Sequence, residues 1–172
     1  MNIIISGYMG SGKSVIGREL SLKLDRNFID LDSYIESKEK NSISNIFHTK
    51  GDLYFRKLES KYLQEILFDN SNLILSLGGG TQCYANNQDL INNRKNISFY
   101  LKNSNIELVK RLFKEKNKRP LISNISTKDK LVEFVSKHLF EREIFYISSS
   151  HTIDCNEKDS SVIVEEIISL LV

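Results

Sequence analysis

At 172 residues, 40% hydrophobic and 27% charged, the chain is long enough to bury a sizeable core as one domain, 1–172, and no second domain is implied. Its 24 basic and 22 acidic residues leave a net charge of +2, which excludes the broad positive field that holds a nucleic-acid backbone; anionic ligands must be met by local arginines and lysines. Cys83 and Cys155 lack paired spacing and His48, His138 and His151 are scattered, so neither set suggests a disulfide framework or zinc site, while short apolar runs and a leaderless N-terminus predict a cytoplasmic protein with no membrane partner.

The first predicted element is a strand over 3–5. It runs into Gly7-Tyr8-Met9-Gly10-Ser11-Gly12-Lys13-Ser14, after which Val15, Ile16, Leu20 and Leu24 predict a helix over 13–24. Strand, glycine-rich turn and helix carry the spacing G-x-x-x-x-G-K-[ST], in which consecutive backbone N–H groups point inward at phosphate oxygens. Lys13 then reaches the β- and γ-phosphates and the Ser14 hydroxyl is one ligand of a magnesium ion, so ATP or a similar triphosphate is the expected ligand. The positive end of the following helix adds to the anion site.

A second strand over 28–31 closes with Asp30-Leu31-Asp32, two carboxylates that an extended segment would point to one side. One can hold magnesium, and the other can orient a substrate hydroxyl and accept its proton; the plainer reading makes Asp32 the cap of a helix over 32–39. A helix over 43–48, capped by Ser42, leads to one over 51–68. In the latter, Arg56 and Glu59 fall on neighbouring turns of one face, so Glu59 can hold the guanidinium for a bidentate contact with a carboxylate. A surface ion pair is the competing explanation.

A third strand over 73–77 ends in Gly78-Gly79-Gly80, which removes every side chain where a ligand could lie against the backbone. The acidic residue usual at the end of this strand in phosphate-loop enzymes is missing, with Ser76 near its place, and Asp30 is the substitute. A helix over 86–93, a strand over 97–101 and a helix over 104–114 follow, the last with a capping box from Ser104 and Glu107. The charged run over 114–124 holds the only proline, Pro120, and reads as a lid able to bring an arginine to a transferred phosphoryl group, although charge runs are commonly just solvated. A helix over 128–148, a strand over 151–154 and a helix over 160–171 complete an α/β fold: a five-stranded parallel sheet with helices on both faces and a mobile lid, ligands lying outside the carboxyl ends of the strands.

These pieces, in this order, resemble the shikimate kinase family over nearly the whole chain. Gly7–Ser14 resembles its G-F-M-G-S-G-K-S loop with Tyr8 for phenylalanine, and Asp30-x-Asp32 its D-x-D. Gly51-Asp52-x-x-Phe55-Arg56-x-x-Glu59 resembles G-E-x-x-F-R-x-x-E, Arg119-Pro120-Leu121 the lid's R-P-L, and Arg142-x-x-x-Tyr146 the R-x-x-x-Y after it. The resemblance implies a P-loop kinase that moves the γ-phosphoryl of ATP to the 3-hydroxyl of shikimate with magnesium, in aromatic amino acid biosynthesis; a monomer is expected, although no motif fixes the oligomeric state. It makes Lys13, Asp32 and Arg119 catalytic, and Gly10, Ser11, Gly12, Lys13, Ser14, Val15, Arg111 and Arg119 nucleotide-binding. Asp32, Phe55, Arg56, Gly78, Gly79, Gly80 and Arg142 bind shikimate, and Ser14 and Asp30 hold the metal. Asp52 for glutamate and Val15 for threonine are departures outside the closest expected contacts, and the sequence around Asn156 leaves the adenine contacts open.

Two rivals share the loop. A nucleoside or gluconate kinase would differ in its acceptor pocket, and a nucleoside would call for an aromatic slot. A GTP-dependent switch needs N-K-x-D, but Asn117-Lys118-Arg119-Pro120 has proline where the aspartate belongs.

Overall fold

The computed structural model describes residues 1–84, 86–115 and 121–171. Five strands, β1 (Asn2–Ser6), β2 (Phe28–Asp30), β3 (Ile74–Ser76), β4 (Asn96–Lys102) and β5 (His151–Asp154), form one parallel sheet in the order β2-β3-β1-β4-β5. The helices between and after them are α1 (Lys13–Leu24), α2 (Leu31–Glu39), α3 (Ile43–Lys50), α4 (Asp52–Asp69), α5 (Asn87–Ile91), α6 (Asn105–Glu115), α7 (Lys128–Tyr146) and, following β5, α8 (Ser160–Ser169). A 3-10 turn over Thr81–Cys83, which no periodicity announces, follows the glycines.

Parallel strands need covering on both faces, and alternate residues of β1 do this. Ile3 and Ile5 face α1 and α8, packing with Ile16, Leu20, Phe99, Ile163 and Ile167, while Ile4 faces α2 and α4 with Leu31, Ile35, Leu63 and Ile66. A third cluster, including Tyr8, Tyr100, Leu112, Ile122, Val135 and Tyr146, joins α6 and α7 to the turn after β1. No described helix is long and apolar enough to cross a membrane.

The strand order reverses around β1, whose two neighbours lead away in opposite directions along the chain, and this opens a crevice at its carboxyl end. Ser76 is in register with both Ile5 and Asp30, so the loops after β1, β2 and β3 begin at one level.

Two expected caps differ. Asp30, not Asp32, caps α2, its Oδ1 accepting from Ser33 N at 3.2 Å; the strand ends one residue early, and Asp32 lies in the first helical turn rather than on an extended segment. Ser104 Oγ accepts from Glu107 N at 3.3 Å, but the reciprocal half of the box is not made, because Ser104 N donates to Asn156 Oδ1 at 2.7 Å and Glu107 turns to Arg111. Ser42 caps α3 as expected, accepting from Asn45 N at 3.2 Å.

Candidate active site

The turn after β1 curls because Gly10 and Gly12 take left-handed φ values of 80° and 96°, which a side chain would strain. Lys13 Nζ folds back over this turn, donating to the carbonyls of Gly7 at 2.9 Å and Tyr8 at 3.0 Å. Ser14 Oγ donates to Asp30 Oδ2 at 2.5 Å, so the predicted metal pair meets although its members come from different elements. Arg111 reaches across from α6, with Nε 3.1 Å from Glu107 Oε1 and Nη1 3.3 Å from the Gly10 carbonyl. Gly10, Gly12, Lys13, Ser14, Val15, Asp30, Asp32 and Arg111 line one cavity of about 410 Å³. Ser11 Oγ is buried beside it in the turn with no hydrogen-bond partner among the described residues, an unmet group of the kind a phosphate oxygen would satisfy.

A second cavity of about 600 Å³ holds Phe55, Arg56, Gly78, Gly79, Gly80 and Arg142. Arg56 is held from two sides, by Glu59 Oε2 at 2.7 Å from Nη1 and by Asp52 Oδ1 at 3.4 Å from Nε. Glu59 is only 1% exposed, which rules out a surface pair, and its other oxygen accepts from Thr81 Oγ1 at 2.6 Å. Asp52, expected outside the closest contacts, is therefore part of the arginine's support. Arg142 enters from α7 and donates from Nη1 to the Gly79 carbonyl at 3.2 Å. Phe55 packs on Phe47 at 4.5 Å between ring centroids and forms an apolar wall.

Two of the three glycines owe their identity to this crowding. A Cβ on Gly78 would lie 2.8 Å from both Asp32 Oδ1 and Glu59 Oε1, and one on Gly80 would lie 2.7 Å from Arg56 Nη1. The space cleared of side chains is thus occupied by the site's own charged groups.

Asp32 lines both cavities, together with Met9 and Gly79. Desolvation, helped by the Glu59 and Asp30 carboxylates and opposed by Lys13, pushes its pKa up to about 6. A carboxylate with that poise, between an anion loop and a pocket bearing Arg56 and Arg142, can orient a hydroxyl and take its proton near neutral pH.

Sequence reasoning gave no role to Met9, Phe47, Glu36, Thr81 or Leu121, although Met9 and Leu121 fall inside its loop and lid motifs. No motif marks Phe47 or Glu36; Thr81, directly after the glycines, was within reach as the next polar residue. The lid's expected arginine and proline, Arg119 and Pro120, lie outside the described residues.

A phosphate-binding turn at the switch point of a 2-3-1-4-5 sheet, facing a pocket with its own arginines, defines an ATP-dependent small-molecule kinase of the P-loop class. The family model described as shikimate kinase matches residues 9–172. A shikimate kinase of Flavobacterium psychrophilum is 43% identical over 169 residues, 98% of either chain. The crystal structure of shikimate kinase from Bacteroides thetaiotaomicron superposes with a TM-score of 0.91 at 30% identity, covering 99% of this chain and 98% of that one. That of shikimate kinase from Acinetobacter baumannii in complex with shikimate gives a TM-score of 0.87 at 30% identity, covering 99% and 92%. The chain belongs to the shikimate kinase family.

Proposed function

We propose that this chain transfers the γ-phosphoryl group of ATP to the 3-hydroxyl of shikimate, yielding shikimate 3-phosphate and ADP. The observation that carries the reading is that Asp32 lines both cavities, the phosphate-binding one and the one bearing Arg56 and Arg142. In this reading backbone N–H groups of Gly10, Ser11, Gly12 and Ser14 and the Lys13 ammonium bind the phosphates, and Val15 and Arg111 flank the rest of the nucleotide. Arg56 and Arg142 bind the shikimate carboxylate, Phe55 lies against the ring, and Gly78, Gly79 and Gly80 offer backbone contacts. Asp32 binds the ring hydroxyls and accepts the proton of the attacking one; Arg119, from the lid, meets the phosphoryl charge.

Magnesium fits the donor set of Ser14 Oγ and Asp30 Oδ2, both hard oxygens already in contact. Among the described residues no group of three or more His, Cys, Asp or Glu side chains is placed to hold a metal ion by itself. When bound it neutralises charge on the phosphates.

Coupled ATP-consumption assays with shikimate, gluconate and a panel of nucleosides test the reading. Turnover with shikimate alone is expected. Turnover with a nucleoside or gluconate but not with shikimate overturns it.

A further inference from the structure

Helix α7 reaches both halves of the site. His138, Arg142 and Tyr146 stand at successive four-residue intervals and so share one face of it. Arg142 and the Tyr146 hydroxyl both donate to the Gly79 carbonyl. One turn before Arg142, His138 Nδ1 lies 2.9 Å from the Tyr8 hydroxyl, with the two rings edge to face at 5.6 Å. Tyr8 is 1% exposed, belongs to the phosphate-binding turn, and gives its backbone carbonyl to Lys13 Nζ. The imidazole also packs on Phe134 at 5.1 Å. Burial and the nearby Arg142 charge lower the His138 pKa to about 4, leaving a neutral ring that makes no claim on the guanidinium.

We propose that the Tyr8–His138 hydrogen bond is a positioning element for Arg142: it ties the phosphate-binding turn to α7 one turn before the arginine, so the grip on the acceptor's carboxylate depends on a side chain of the nucleotide loop. The inference rests on the reading that Arg142 binds a shikimate carboxylate. Where Arg142's fork points follows from where its helix sits, and a bidentate contact tolerates little displacement. The phenylalanine that the family resemblance leads one to expect at position 8 could not make this bond, so the tie is a property of a chain carrying both Tyr8 and His138.

Steady-state kinetics of Tyr8→Phe, His138→Leu and His138→Asn, each in the wild-type and the Arg142→Ala background, test it. Asparagine places an amide near the position of Nδ1 and serves as the conservative rescue. Tyr8→Phe and His138→Leu should each raise the shikimate KM about 3- to 10-fold, the span of one neutral hydrogen bond, with a smaller change in the ATP KM. His138→Asn should recover most of that loss, and in the Arg142→Ala background Tyr8→Phe should add nothing further. An unchanged shikimate KM in both Tyr8→Phe and His138→Leu overturns the inference, as does an equal rise with and without Arg142, which would make the pair a packing contact only. A wild-type enzyme that ignores shikimate would overturn the acceptor reading and this inference with it, whereas an active wild type whose KM does not respond overturns this inference alone.

Discussion

Asp32 is the residue on which chemistry and stability pull in opposite directions. Its carboxyl is pushed from an ordinary 3.8 to about 6, first by desolvation and then by Glu59 and Asp30. A base that must be ionised makes kcat/KM fall as pH drops through about 6, and the pH profile should show that limb and lose it in Asp32→Asn, with a rate loss on the order of a hundredfold. A flat profile down to pH 5 would contradict the assignment. The linkage has a definite sign. The folded state holds the proton more tightly than the unfolded one, so ionising Asp32 costs stability as pH rises from about 4 to about 6, and the penalty is complete above that. Asp32→Asn should therefore raise stability at pH 8 by up to about 2–3 kcal/mol and gain little at pH 4, as urea melts at the two values would report. Lys13→Ala belongs to the same scale: with Lys13 removed, its charge is lost from the phosphates, and turnover in the folded variant should fall below detection in a coupled assay.

The turn over Gly78 to Gly80 shows how an element can be set by its neighbours. Because a Cβ at position 80 would press on the Arg56 guanidinium, Gly80→Ala should displace that arginine and raise the shikimate KM about tenfold or more, while leaving the ATP KM within a few-fold. Equal effects on both constants would mean that the turn is merely distorted. The same turn marks the boundary of what a sequence can tell. The phosphate-binding turn and the alternation of strands and helices were legible because their signals are local: fixed spacings, apolar periodicity, a cap beside its helix. The Arg56–Glu59 pair was legible as i,i+3 neighbours. What was hidden depends on segments far apart in the chain. Thr81 meets Glu59 across the fold, Asn156 takes the Ser104 N–H that the capping box would have used, and the cap of α2 moved to Asp30 because strand pairing with Ser76 ends there.

At the scale of the whole molecule, the register of β1, β2 and β3 sets the loops that carry Lys13, Asp30 and the glycines at one level, and α7 closes the acceptor side. Removing a charge that acts on the transferring group should depress the rate more than ground-state binding. Arg119→Ala is accordingly expected to lower kcat well beyond any change in ATP affinity, and an unchanged kcat would reduce the 114–124 segment to a solvated loop. The central claim is that one cavity ends in a phosphate grip and the other in a carboxylate grip, with Asp32 between them. Its most direct test is the pair of Michaelis constants, for shikimate and for ATP, measured in Arg56→Ala and Arg142→Ala. Each variant should raise the shikimate constant by roughly 10- to 150-fold, as loss of a charge-assisted hydrogen bond of about 1.5–3 kcal/mol requires, and leave the ATP constant within a few-fold. Normal shikimate constants in both variants, or equal losses for the two substrates, would contradict the account.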